Sequence, residues 1–535
     1  MSPKSASKGY LALVLHSHLP FVRHPEYEDC LEEDWLYEAI TETYIPLLRV
    51  FEGLVRDKID FRLTVSLSPP LVTMLNDALL RQRYLRHIER LIELAEKEVR
   101  RTRPTPEFHQ TAKMYLRKFR ECRHYFAEAH HCDLVRVFRD LQESGHLELI
   151  ACGATHGFLP LLNTHPQTVR AQVAVGAKHY EDSFGRRSRG MWNAECGYFP
   201  GLEKLLEAQG VRFFFVDAHG LLYADKPPKF GVFAPLLCEG GVAAFGRDVE
   251  SSRSVWSAEE GYPGDPHYRE FYRDIGYDLD YDYVKPYIHD SGLRIGTGIK
   301  YYRITGHRSA NKKPYNERMA LDTARRHAAD FVKSRIEQIE YLAPLMDRPP
   351  IIVAPYDSEL FGHWWYEGPQ FLDQVFRNMA HHQDDLEPIT PSIYLKRHPE
   401  NQSATPSLSS WGNKGYSEVW LEGSNDWIYR HLHKAAERMI ESANRFAQPD
   451  GMQRRVLNQM ARELLLAQSS DWAFIMKTNT MVEYAIRRTK EHLLNFNDLY
   501  EQIQNGVLDE VALQKLEDKD NIFPHIDYRV YSDRG

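Results

Sequence analysis

The 535-residue chain has no excess of basic residues, no closely spaced cysteine pair and no membrane-length apolar run. Lys and Arg number 67 against 75 Asp and Glu, a formal net charge of −8, so nothing supplies the positive field that a nucleic-acid backbone requires. No nucleic-acid partner is expected. No stretch of about 20 apolar residues is present to span a bilayer, and MSPKSASKGY at the start has none of the apolar character of a secretory signal. No membrane partner is expected either. The six cysteines, Cys30, Cys122, Cys132, Cys152, Cys196 and Cys238, form no CxxC, which argues against a zinc knuckle or a dense disulfide framework and points to the reducing cytoplasm. Internal repeats, low-complexity tracts and a GxGxxG turn are also missing.

What the chain does hold is 43% hydrophobic residues, enough for a large core, and an aromatic share of 12% (9 Trp, 30 Tyr, 25 Phe) beside 25 His. At roughly 150 residues per domain the length allows three to four domains. Seven short apolar or β-branched runs read as strands: 10–16, 62–68, 147–153, 190–196, 211–217, 241–247 and 350–357. Segments of helical length lie between most of them, including 32–54, 166–184, 201–209 and 318–345. That alternation predicts an α/β fold with a parallel sheet, and without a nucleotide-binding turn a closed or nearly closed barrel is preferred to an open doubly wound sheet. The long gap between the second and third strands reads as a helical insertion at about 80–146, broken by RPTP at 103–106. Its basic residues are interspersed with Glu and Asp, as on a solvated helix face. A Tyr-, Gly- and Asp-rich stretch at 250–290 lacks any sustained period, and loops of that length are usually functional. After residue 400 a polar, turn-rich segment precedes three expected helices, 427–447, 452–467 and 481–504.

In parallel barrels reacting groups gather where strands end. The first strand ends in His16-Ser17-His18, whose alternate positions face one side, either as a metal pair, as hydrogen-bonding groups for a hydroxyl-rich ligand, or as a buried structural pair. Asp217 and His219 are possible further ligands. His156 ends the third strand between glycines. Glu195 lies in the aromatic run of the fourth, and Asp357 ends the seventh. Each carboxylate has a plain alternative, neutralisation by an Arg or capping of a loop. Together they supply what glycosidic cleavage needs, one group to attack or activate water and one, its pKa raised by apolar surroundings, to protonate the leaving oxygen. Aromatic planes bury the flat C–H faces of sugars, and Trp411 and Trp420, in turn-rich sequence, are candidates for that use.

HSHLPF (16–21), GATHGF (153–158), WNAECG (192–197), the stretch beginning APYDSELFGHWW (354–365) and SSDWAF (469–474) together resemble the ordered motifs of glycoside hydrolase family 57, most nearly its 1,4-α-glucan branching enzyme group. The resemblance implies an incomplete (β/α)7 barrel over residues 1–400, carrying the helical insertion, and an α-helical C-terminal domain over 401–535 that contributes to the cleft. It implies a retaining double displacement on α-1,4-glucan such as amylose or glycogen, with no metal or organic cofactor. Glu195 matches the nucleophile and Asp357 the general acid/base, a pair expected about 5–5.5 Å apart. His16, His18 and His156 match sugar-contacting positions. Trp35, Arg253, Trp256, Trp411, Trp420, Asp471 and Trp472 match substrate-lining ones. One departure stands out: branching members often carry, between the nucleophile and the region of Trp256, a longer loop whose Tyr covers the site. Here 61 residues separate Glu195 from Trp256, too few for that loop. Water reaching the glycosyl-enzyme would favour an α-amylase-like or 4-α-glucanotransferase-like activity instead. A catalytically idle glucan-binding protein is a third alternative.

Overall fold

A computed structural model describes residues 7–257, 259–289, 292–305, 311–381 and 383–533. Its first strands are β1 (Gly9–Ser17), β2 (Leu63–Leu67), β3 (Leu147–Cys152), β4 (Met191–Trp192) and β5 (Phe213–Val216). They are followed by β6 (Leu236–Leu237), β7 (Ala243–Gly246), β8 (Ile351–Asp357) and β9 (Leu386–Pro388). All nine residues of β1 are buried, as expected of a strand covered on both faces.

Strands β4, β3, β2, β1 and β8 are neighbours in that order and all parallel, with β9 parallel to the first residues of β1. A second sheet pairs β5 in parallel with β7 and adds β6 antiparallel. One bridge, Gly190 to Phe213, joins the sheets, and a hydrogen bond from Asp248 N to Val353 O (2.8 Å) ties the segment after β7 to β8. The register sets His16 of β1 level with Asp357 of β8 and with Ser66 of β2. Parallel pairing therefore brings three strand ends to one level.

All seven expected strands are present, four of them over nearly their full length, while those expected at 211–217 and 241–247 form over four residues each. The fourth stops at Trp192, because Glu195 adopts a left-handed backbone (φ 63°) that cannot continue a pleated strand. β6 and β9 are two and three residues long, too short to leave a period-two signature, and β9 ends in proline.

Between β2 and β3 stand helices Pro69–Asn76, Ala78–Arg101, Pro106–Arg123 and Leu134–Glu143. The break expected at 103–106 falls between the second and third. Asp77 caps the second by accepting from Leu80 N (3.0 Å). The Tyr-rich stretch at 250–290 begins in the helix Val249–Trp256 and continues in turns and short helical segments; its Tyr283 donates to buried Glu98 and its Tyr287 to Glu93, and Tyr301 beyond it also donates to Glu98, so that these tyrosines buttress the insertion. Helix Pro166–Phe184 lies so close to β3 that a Cβ on Gly176 would sit 2.1 Å from the Cys152 carbonyl oxygen. Gln172 of the same helix can then accept from Thr155 N (3.0 Å) and hold the turn that carries His156.

Helices Trp427–Arg445, Gly451–Ala467, Ser470–Thr478, Val482–Asn505 and Glu510–Lys519 make up the C-terminal part. Among the described residues no helix is long and apolar enough to cross a membrane.

Candidate active site

Two strand-end turns carry non-glycine residues in the left-handed region, His156 (φ 57°) after β3 and Glu195 (φ 63°) after β4. Such conformations cost on the order of 1–3 kcal/mol each and persist only where the surroundings over-determine them. Each turn is gripped from the C-terminal half of the chain. The Trp411 main-chain N–H donates to the Glu195 carbonyl (2.9 Å), and its indole Nε1 donates to the Glu195 carboxylate Oε2 (2.8 Å). Ser470 N donates to the His156 carbonyl (3.1 Å), and its hydroxyl lies 2.8 Å from His156 Nδ1.

Ser470 Oγ also donates to Glu195 Oε1 (3.3 Å), which gives the polar core a direction. Burial, followed by the positive charge of the neighbouring imidazoles, pushes His16 and His156 well below the usual imidazole range, so both are neutral. A carboxylate accepts only, so Ser470 spends its proton on Glu195 and accepts from His156 Nδ1–H. A neutral imidazole has a single N–H, so His156 Nε2 accepts from His16 Nε2 (2.9 Å), and His16 Nδ1 accepts from Ser66 (3.2 Å). The series Ser66, His16, His156, Ser470 thus ends by donating to Glu195. His18, stacked on His156 with centroids 3.9 Å apart, bridges Ser68 (2.8 Å) and Asp471 (2.9 Å).

Burial pushes Asp357 up to about 8, the charge of Glu359 adds to it, and Arg247 opposes it. Burial likewise raises Glu195, to about 7; the Trp411 hydrogen bond opposes the shift, and the charges of Asp357 and Asp471 reinforce it. Burial alone would raise Asp471 too, yet the charge and hydrogen bond of His18 hold it at about 2. Three carboxylates in one pocket therefore have three different affinities for a proton.

The structure brings His16, His18, His156, Glu195, Trp411 and Asp471 into one hydrogen-bonded group, and Asp357 is near enough to raise Glu195. Trp256 meets Trp411 edge to face at 5.9 Å. Trp35 packs edge-on to Tyr484 at 5.7 Å. Two of the expected lining residues are almost fully enclosed. Trp420, read as a sugar platform, is 1% exposed and stacks on Phe158 at 4.2 Å, and Trp472, also 1% exposed, donates its indole N–H to the Leu466 carbonyl. Arg253 points to solvent and pairs with Glu260 (3.6 Å).

Sequence reading missed Ser66, Ser470, Trp192 and Arg247. Trp192 stacks on His16 at 4.7 Å. Arg247 lies over the Trp411 ring at 5.5 Å and pairs with Asp217 (3.1 Å), whose other oxygen meets His219. A charged residue closing the apolar run 241–247 was the available signal for Arg247. Ser470 stands in the motif at 469–474, which was its available signal, and nothing distinguishes Ser66 from other serines without the fold.

Among the described residues three groups have metal-ligand spacing, with ligating atoms within 4.8 Å of one another: Glu463–His492–Asp520 in the C-terminal helices and, at this site, His16–Cys152–His156 and His18–His156–Asp471. Every ring nitrogen of the three histidines at this site already has a protein partner, so an ion would have to displace those hydrogen bonds. The donor set fits a hydrogen-bonded core better than a metal centre.

Comparison with known proteins agrees with this geometry. Residues 12–406 match the family model for glycosyl hydrolase family 57, and residues 431–531 match the model for the C-terminal part of 1,4-alpha-glucan branching enzymes. A 1,4-alpha-glucan branching enzyme of Thermococcus kodakarensis is 33% identical, over 96% of this chain and 77% of that protein. The crystal structure of the alpha-amylase AmyC from Thermotoga maritima superposes with a TM-score of 0.91 at 48% identity, covering 98% of this chain and 99% of that one. That of a branching enzyme from Pyrococcus horikoshii does so with a TM-score of 0.88 at 32% identity, covering 99% and 97%. Strand-end carboxylates, the histidine core and a match along most of the sequence place the chain in glycosyl hydrolase family 57.

Proposed function

We propose that the chain is a 1,4-α-glucan branching enzyme of glycogen-type metabolism working by a retaining double displacement. The observation that carries this reading is the coupling of the Glu195 carboxyl group to a C-terminal part of branching-enzyme type through Ser470, with Asp471 of the same helix held by His18 and Trp411 donating to Glu195 from the preceding segment. Asp357 holds its proton more tightly than Glu195, which suits Asp357 to the acid and Glu195 to the nucleophile. Glu195 attacks C1 of an α-1,4-linked residue while Asp357 protonates the departing 4-oxygen, leaving a β-glycosyl ester on Glu195. Asp357, now ionised, takes the proton of an acceptor 6-hydroxyl. That oxygen bonds to C1, the ester breaks, and an α-1,6 branch results. His16, His18, His156, Trp35, Trp256 and Trp411 are the proposed sugar contacts. The strand order supports an incomplete (β/α)7 barrel over 1–400, open between β7 and β8, with the helices of 401–535 set against its strand-end face. Six free cysteines suit a cytoplasmic setting.

A second reading, hydrolysis by the same carboxylates, is favoured by one observation. The interval from Glu195 to Trp256 is taken up by β5, β6, β7 and helices Leu202–Ala208, Ala218–Leu222 and Val249–Trp256, and its longest connection is residues 223–235. That leaves little chain to cover the glycosyl-enzyme, and the 48% identical structure is described as an α-amylase. Incubation with amylose separates the readings. Branching creates α-1,6 linkages with almost no new reducing ends, whereas hydrolysis releases one reducing end per bond broken and would overturn the first reading.

A further inference from the structure

All nine tryptophans are described, and Trp364 alone is exposed, at 54%. It lies seven residues after Asp357, on the segment that leaves β8, and its main-chain N–H donates to the Glu359 carbonyl (3.2 Å). The rest of that segment is rigidly seated. Gly362 (φ 113°) approaches the Glu42 main chain so closely that a Cβ would fall 1.8 Å from the Glu42 carbonyl oxygen. His363 Nδ1 donates to Glu42 Oε2 (2.7 Å), and buried Arg269 pairs with Glu42 (3.2 Å) and donates to the His363 carbonyl (3.3 Å). One face of the Trp364 indole is backed by Phe271, stacked at 4.3 Å and 20°. Phe271 is itself held by His363, edge-on at 5.2 Å, and by Lys300 Nζ 4.3 Å from its ring centroid. Tyr272, 74% exposed, adjoins Phe271 edge to face.

We propose that Trp364, with Phe271 and Tyr272, is an aromatic platform that binds an outer stretch of an α-glucan chain at a distance from the reacting bond. The inference rests on the glucan reading above. A large apolar side chain 54% exposed on a preorganised support, with the exposed Tyr272 phenol against its backing ring, matches the apolar face and hydroxyl rim of a pyranose. Its attachment to the segment leaving Asp357 links it to the carboxylate cleft. Preorganisation matters because the ring and its loop then lose little freedom when a glucan lands.

The test compares the wild type with Trp364→Ala and Trp364→Phe by retardation in native gels containing glycogen, and by kcat/KM on amylose and on maltoheptaose. Trp364→Ala is expected to weaken retardation about tenfold and to lower the amylose-to-maltoheptaose ratio of kcat/KM by a similar factor, with Trp364→Phe restoring most of both. Phe271→Leu, which removes the backing ring, is expected to fall between. Wild-type behaviour of Trp364→Ala in both assays overturns the platform while leaving the glucan reading intact. If the wild type is neither retarded by glycogen nor active on amylose, the glucan reading fails and the platform falls with it.

Discussion

Two regions of the molecule bury carboxylates beside histidine, and they differ in what surrounds them. In the C-terminal helices Glu463, His492, Arg488 and Asp520 are all 0% exposed. His492 Nδ1 donates to Glu463 Oε2 (2.7 Å), and Arg488 pairs with Asp520 (3.5 Å). Burial raises Glu463 to about 7 and Asp520 to about 6, and lowers His492 to about 3. At the strand ends Glu195 reaches the same value of about 7. A shifted proton affinity therefore does not by itself mark a reacting group. The difference lies in access and backbone. The Glu195 side chain keeps 16% of its surface open and stands on a left-handed turn held from a distant part of the chain, whereas Glu463 lies within the regular helix Gly451–Ala467.

The largest effect that would break this contrast is on turnover. Glu195→Gln is expected to lower kcat on amylose about 10⁴-fold with an unchanged melting temperature, while Glu463→Gln leaves kcat within about threefold. A large loss of turnover in folded Glu463→Gln would erase the distinction. Next comes stability: Asp520→Ala takes away one of the two carboxylates that neutralise the buried Arg488 guanidinium, leaving Glu491 (2.9 Å), and is expected to cost about 1–3 kcal/mol in denaturant unfolding, against well under that for Glu195→Gln. Comparable in size is Ser470→Ala, expected to lower kcat about tenfold. Because the Ser470 hydroxyl favours ionised Glu195, its loss raises the Glu195 pKa and moves the acid limb of the rate profile to higher pH, and Ser470→Thr moves it back. A uniform fall in rate with no displaced limb would reduce Ser470 to a packing residue. Finest is the wild-type profile itself. Glu195 must be ionised, so the rate rises through about 7, and Asp357 must be protonated, so it falls through about 8, giving a narrow bell with apparent values that belong to the pair. A rate that is flat between pH 5 and 9 would contradict it.

The contrast also explains what could be read from the sequence. His16, His156, Glu195 and Asp357 were legible because polar residues that end apolar runs have one common explanation in a parallel sheet. Glu195 was placed correctly although its strand stops earlier than the alternation suggested, since the left-handed turn leaves no local compositional mark. The helical insertion was legible from its period and from the RPTP break. The burial of Trp420 was not legible, because turn-rich sequence says a residue is near a loop, not which way its ring points. The roles of Ser470 and Ser66 were illegible because they depend on partners 314 and 50 residues away, although Ser470 shares the motif at 469–474. Asp471 was visible only through its motif.

The central claim assigns the nucleophile to Glu195 and the acid/base to Asp357, and azide rescue tests it most directly. Alanine variants of each are incubated with an activated α-glucoside and sodium azide, and the anomer of the glycosyl azide is determined by NMR. Asp357→Ala still forms the β-glycosyl-enzyme, which azide attacks, so the account predicts the α-glycosyl azide. Glu195→Ala lets azide attack the substrate directly, so it predicts the β-glycosyl azide. The same anomer from both variants, or the two outcomes exchanged, would contradict the account.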